Sequence, residues 1–254
     1  MSIKIGTDII NYIGEIPRKA AHPVDWATLL PKWSTTVPWE EYICDKRIVS
    51  RWEIGENLAS SENGIHIQDV QVQTIQAFTG GAIPKPEFIN LQFYPASEHN
   101  IQQAEHRLNL TFPPSYRDFL KHSNGWLVQP CEIILPIHQV NLFPKHDPEQ
   151  FEIIITHMDD PDYETLEDVF NIIPKRHYFD YDNHPPPLVP NSHLSTAIII
   201  GESEDRVVWY ALNPQVVFED GEWEAWAVYS GDGEYVRYRS FGEMMLQQYK
   251  VFDN

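Results

Sequence analysis

Ile101-Gln-Gln-Ala-Glu-His-Arg-Leu-Asn-Leu-Thr-Phe-Pro-Pro-Ser-Tyr-Arg-Asp-Phe-Leu-Lys-His-Ser-Asn-Gly-Trp126 is the stretch from which the fold of this chain is read. Ile101, Ala104 and Leu108 recur at i, i+3 and i+7, which places them on one face of a helix. Pro113 and Pro114 cannot lie inside that helix, so it ends before them. A second helix follows, with Ser115 as N-cap and Asp118 three residues on as a near capping box. Tyr116, Phe119 and Leu120 form its buried stripe, and Gly125 can take the left-handed backbone that closes it. The unit is built for packing. Nothing in it is a catalytic arrangement.

Working outward toward the C-terminus, residues 131–137, 197–201, 206–212 and 222–229 read as strands. Asn213-Pro214 and Asp220-Gly221 supply the turns between them, and such short spacing implies antiparallel pairing. A last helix starts at Ser240 with Glu243 as its capping box, and carries Phe241, Met244 and Met245 inward. The fold class expected is α+β, an antiparallel or mixed sheet with helices packed mainly on one side. Toward the N-terminus, Trp26, Leu29, Leu30 and Trp33 are spaced like a short helix face, opened by Pro23 and Asp25. Residues 68–78 alternate through Val70, Val72 and Thr74 and suit an edge strand, with Gly80-Gly81 and Pro84 to Pro86 as a turn after it.

The helix pair also carries a resemblance. Ile101, Glu105 and Leu108, then Phe112-Pro113-Pro114-Ser115-Tyr116-Arg117-Asp118-Phe119-Leu120, then Asn124-Gly125-Trp126, resemble the SUKH superfamily. This is the Smi/Knr group of fungal cell-wall regulators and bacterial immunity proteins. A second match is Gly221-Glu222-Trp223-Glu224-Ala225-Trp226, followed by Tyr238-Arg239-Ser240-Phe241-Gly242-Glu243-Met244-Met245. The resemblance covers roughly Pro84 to Tyr249. Asn109 stands where the family commonly has Gly, and Asn tolerates left-handed backbone nearly as well. The division that follows is a SUKH-like domain over 84–254 with an acidic insertion at about 144–190. Residues 1–83 are then an extension packed on that core, or else a small independent lobe. The resemblance implies a non-enzymatic, intracellular protein-binding domain. On that basis the chain is expected to be an immunity protein that binds and neutralises a cognate toxin, commonly a nuclease. The alternative it implies is a regulatory or scaffold module like the fungal relatives, whose long low-complexity arms this chain lacks.

Composition bounds the function independently. A chain of 254 residues, 42% of them apolar and 13% aromatic with 8 Trp, can bury a sizeable core. A formal net charge of −19 repels nucleic acid backbones and anionic membranes, and attracts a basic protein. Simple solubility is the plainer account of the same charge. Cys44 and Cys131 are far apart and show no CxxC spacing, so neither a disulfide scaffold nor a zinc ribbon is expected. The residues after Met1 do not read as a signal peptide, and no apolar run reaches the roughly 18 residues of a membrane helix. A cytoplasmic protein is expected, monomeric or weakly dimeric.

From Asp147 to Asp182 the chain carries eleven carboxylates against Lys175 and Arg176, and Pro185-Pro186-Pro187 follows as a stiff piece. This segment is expected to supply an acidic binding surface. The plainer alternative is a solvated loop with a short helix around Tyr163 to Ile172. Asp159-Asp160-Pro-Asp162 lacks the spacing of a calcium loop, and His138, His146, His157, His177, His184 and His193 show no paired metal-ligand spacing. No GxSxG elbow, phosphate-binding loop or GxGxxG is present, so no catalytic residue, cofactor or metal is expected. Trp126, Trp223 and Trp226 are expected in the core. Trp209 and Tyr210 point to opposite sheet faces, so one of the two is expected to be exposed. The partner-binding candidates are therefore Asp159, Asp160, Asp162 and Glu164, with Glu202, Glu204 and Asp205 at a turn, flanking Trp209 as the exposed aromatic.

Overall fold

The computed structural model describes residues 23–36, 95–129, 132–157, 164–183, 185–203, 206–229 and 234–252. Among these, nine helices and seven strands follow in chain order. They are α1 (Trp26–Thr36), α2 (Glu98–Leu108), α3 (Pro114–His122), β1 (Trp126–Gln129), β2 (Glu132–Ile134), β3 (Asn141–Leu142), α4 (Phe143–His146) and α5 (Pro148–His157). Then come α6 (Leu166–Ile172), α7 (Lys175–Tyr178), a 3-10 turn at Tyr181–Asn183, α8 (Asn191–Leu194), β4 (Ile198–Ser203), β5 (Val208–Val217), β6 (Trp223–Tyr229), β7 (Glu234–Tyr238) and α9 (Phe241–Lys250).

The helix pair forms where its apolar spacing requires. Ile101, Ala104 and Leu108 of α2 and Tyr116, Phe119 and Leu120 of α3 are all buried. Asn109 closes α2 with φ 55° and ψ 47°, the left-handed backbone its short polar side chain tolerates. Ser97 opens α2 with a reciprocal cap to Asn100. Two expectations are corrected here. Pro113 is the N-cap of α3 and Pro114 its first residue, because a preset φ and a missing N–H suit a helix start. Ser115 thus lies within the first turn, and its N–H and hydroxyl donate to Glu222 at 2.8 and 2.7 Å, from 107 residues away. Gly125 has positive φ (123°) but belongs to the turn into β1, since α3 ends on extended Ser123.

The sheet runs β1-β2-β4-β5-β6-β7, with β3 paired to β4 alongside, and every pairing is antiparallel. Asp220-Gly221 makes its predicted turn, with Gly221 at φ 81° and Phe218 and Glu222 exchanging a 2.8 Å bond. Asn213-Pro214 does not turn. β5 runs through it to Val217, and Pro214 falls where the register to β6 shifts between Asn213 and Val217. At such an irregularity no ladder N–H is required of proline.

Successive strand residues face opposite ways, and both faces are covered. Tyr238 of β7 faces α9 and hydrogen-bonds Gln248, while its neighbour Arg237 lies against Tyr178 at the end of α7. Helices α1, α2, α3 and α9 therefore share one face with a common aromatic core, and the segment from α4 to α8 covers the other. Trp26 stacks edge-on to Phe119 at 5.3 Å and lies 5.7 Å from Phe241, and Trp33 meets Trp126 and Tyr249 at 5.8 and 5.6 Å. α1 enters across Gly242, where a Cβ would stand 2.9 Å from Val24 Cγ2. Asp25 caps α1 as read from the sequence, accepting from the Thr28 N–H at 3.2 Å. α9 begins at Ser240, which accepts from Glu243 N, while the Glu243 carboxylate reaches the Arg239 N–H rather than Ser240. Cys44, Cys131 and the strand and turn expected at 68–86 lie outside the described residues.

β4 shows how tightly this sheet is packed. A Cβ on Gly201 would sit 2.6 Å from the Ile133 carbonyl oxygen and 2.9 Å from Tyr210 Cδ2, between two paired strands. Gly201→Ala is expected to destabilise the chain by about 2–3 kcal/mol, read from urea unfolding midpoints at unchanged slope. A loss under half a kcal/mol would show that β2 and β4 separate easily.

Candidate interaction surface and a buried polar hub

The face opposite α9 is organised around a carboxylate and a guanidinium that are both fully buried. Arg237 Nε and Nη2 donate to Glu224 Oε1 at 2.8 and 2.5 Å, and both side chains are 0% exposed. A buried pair of this kind persists only when its remaining hydrogen-bonding capacity is used. Tyr181 Oη donates to Glu224 Oε1 at 2.7 Å, and Asn213 Nδ2 and Trp226 Nε1 donate to Oε2 at 3.1 and 2.9 Å. Arg237 Nη1 donates to the carbonyls of Tyr178 and Pro186 at 3.0 and 3.1 Å, and its guanidinium lies 3.6 Å above the Tyr178 ring. The hub joins β5, β6 and β7 to the segment carried above them.

Burial alone would raise the Glu224 carboxyl, but Arg237 and the Tyr181, Asn213 and Trp226 donors reverse this and hold it below the usual range. Burial also lowers His193 from 6.5 to about 4. Its tautomer follows from its neighbours. The Asn213 amide is oriented by Gln215 N–H, which donates to Oδ1 at 3.1 Å, so Nδ2 faces His193 Nδ1 at 3.1 Å as a donor. Nδ1 must accept, and the imidazole is neutral with its proton on Nε2.

The acidic segment folds onto this hub rather than standing apart from it. Leu166 and Val169 of α6, with Tyr178 and Phe179, form a second hydrophobic cluster against Val216 and Phe218 beside β5. The short helix expected around 163–172 is α6, capped by a reciprocal pair between Thr165 and Asp168. Glu149 and Glu152 on α5 and Glu164 and Glu167 by α6 are exposed. Asp182, 70% exposed, pairs with buried Arg239 at 2.7 Å.

Glu164 is thus presented at the surface, and Asp159, Asp160, Asp162, Glu204 and Asp205 lie outside the described residues. Two candidates need correction. Trp209 and Tyr210 are both 0% exposed, because helices cover both faces of β5. The Trp209 ring packs 5.9 Å from Phe143, and Tyr210 hydrogen-bonds Glu132 from the other face. Glu202 is 8% exposed, and its Oε2 is 3.0 Å from His146 Nε2. It anchors the β4–β5 turn to α4, assisted by Arg206 donating to Asp147 at 3.0 Å. Trp126, Trp223 and Trp226 are core residues as expected.

A second buried carboxylate ties the helix pair together. Glu105 accepts from Phe112 N–H and Arg117 Nε, both at 2.8 Å, and Arg117 Nη2 reaches Glu98 at 2.7 Å. A family model described as SMI1 / KNR4 family (SUKH-1) matches residues 95–247. The chain belongs to the SMI1/KNR4 family. This SUKH-1 match spans the helix pair, the acidic segment, the whole sheet and most of α9, and leaves out α1. No curated protein matches the chain. The SUKH family consists of protein-interaction domains and is generally non-catalytic. Among the described residues no three His, Cys, Asp or Glu are grouped to hold a metal ion, and no helix is long and apolar enough to cross a membrane.

The hub makes acid the condition that strains this SUKH-1 domain. His193 is neutral when folded and titrates near 6.5 when unfolded, so the unfolded chain binds the extra proton. Its contribution is complete above pH 6.5 and is lost as pH falls from there toward about 4. Stability is expected to drop over that window by on the order of 3 kcal/mol. His193→Asn, whose Oδ1 can accept from Asn213 in place of Nδ1, should flatten this part of the profile in urea titrations at stepped pH. An unchanged slope would assign the acid sensitivity to other groups, His138 among them, which burial also lowers.

Proposed function

We propose that this chain is a cytoplasmic immunity protein of a bacterial polymorphic toxin or contact-dependent inhibition system. It binds a cognate toxin, a nuclease, in a stoichiometric complex and neutralises it without turnover. The observation that carries this reading is the meeting of SUKH-1 membership with a net charge of −19. A nuclease must present cations to phosphates, and an acidic partner fits the same surface. The contacts are assigned to Asp159, Asp160, Asp162 and Glu164 of the acidic segment and to Glu204 and Asp205 of the β4–β5 turn. Glu202 and Trp209 are buried and are not assigned as contacts.

The test is co-expression with the toxin domain encoded next to this gene. Growth rescue and a one-to-one complex whose affinity falls steeply with salt are expected. Reversing Asp159, Asp160 and Asp162 together to Lys should weaken that complex about tenfold or more, chiefly through slower association. Rescue with unchanged affinity in the reversed variant would remove the acidic segment from the interface. Absence of both rescue and complex would overturn the immunity reading.

A further inference from the structure

We propose that residues 164–183 and 185–188 form a strap that opens from the sheet as a unit, with Arg237 of β7 as its latch. Three observations support this. The strap has its own small core, Leu166, Val169, Tyr178 and Phe179, seated on the sheet through Val216 and Phe218, and Val189 rejoins the main cluster just beyond its end. A contiguous segment with a separate apolar cluster is the kind of unit that opens independently of the rest of a domain. The polar contacts between strap and sheet converge on neighbouring residues. Arg237 holds the Tyr178 and Pro186 carbonyls and stacks on the Tyr178 ring, Tyr181 donates to Glu224, and Asp182 pairs with Arg239.

The third observation is what Arg237 grips. Both of its strap acceptors are main-chain carbonyls, so this grip does not depend on which side chains the strap turns outward. Glu164 and Glu167 are exposed, away from the latch, and can be exchanged without disturbing the seat. The latch thereby separates holding the strap from what the strap presents. Opening uncovers Arg237 and Arg239, the buried arginines of the described residues, together with Asn213 and His193. The proposal rests on the immunity reading only in naming the strap as the partner-facing surface. The opening is a property of the free protein.

The experiment is hydrogen–deuterium exchange by mass spectrometry on the full chain, comparing wild type, Arg237→Lys and Tyr181→Phe without any partner. Lysine keeps the charge but loses the planar fork that spans Glu224 and the two carbonyls. Amides of 166–183 are expected to exchange about tenfold faster or more, and to accelerate well beyond those of β4 and residues 208–212. Parallel acceleration of strap and sheet would overturn the proposal, since strap and sheet would then be one cooperative unit. Unchanged strap exchange in both variants would overturn it as well. If Arg237→Lys does not fold, Tyr181→Phe, which deletes one hydroxyl, carries the comparison alone with the same two outcomes.

Discussion

The buried Glu224–Arg237 pair is the constraint on which much of this architecture depends. Taking a carboxylate and a guanidinium out of water costs several kcal/mol per ion, and their attraction offsets this only with good geometry and satisfied partners. The chain meets the condition with Tyr181, Asn213 and Trp226 around Glu224 and two carbonyls on Arg237. Those partners come from two strands, β5 and β6, and from the acidic segment. The segment is consequently part of the folded domain and contributes to its own anchoring. Removing one charge would leave the other buried and uncompensated, which is far more damaging than never having had the pair.

The same logic recurs on the helix side with smaller stakes. Glu105 satisfies the Phe112 N–H in the connection between α2 and α3 and receives the Arg117 guanidinium. Glu222 supplies to the first turn of α3 the acceptors that a local N-cap would have offered. Since Glu222 sits at the start of β6, this contact sets the helix pair relative to the meander. Two carboxylates thus do for α2 and α3 what Glu224 does for the opposite face. Glu105 does so over 7 and 12 residues, and Glu222 over 107.

These couplings shape any interaction role. A protein-binding domain needs a surface held in one geometry, because ordering a flexible segment at the moment of binding costs affinity. Here α5 and α6 are seated by apolar contacts, and the β4–β5 turn is braced by Glu202 with His146 and by Arg206 with Asp147. Glu149, Glu152, Glu164 and Glu167 stand on this seated frame with their carboxylates in solvent. The framework is apolar where it meets the sheet and acidic where it meets water.

Local signals in the sequence determined a good deal of this protein. Apolar spacing located α1, α2 and α3, the Ser240 cap located α9, an apolar run located β4, alternation located β6, and Asp220-Gly221 marked a hairpin, because each depends on neighbours within a few residues. The Phe112 to Leu120 and Gly221 to Trp226 motifs also pointed to the SUKH family. Asn213-Pro214 was misread because a proline inside a strand is tolerated only at a register shift, which a partner strand creates. Trp209 was misread because alternation says that neighbours face apart, and not that both faces will be covered. Glu224 and Arg237 looked like ordinary charges thirteen residues apart. Their pairing, the seating of the acidic segment and the burial of Glu202 were decided only by tertiary structure, since each depends on the dielectric and donors that distant strands bring together.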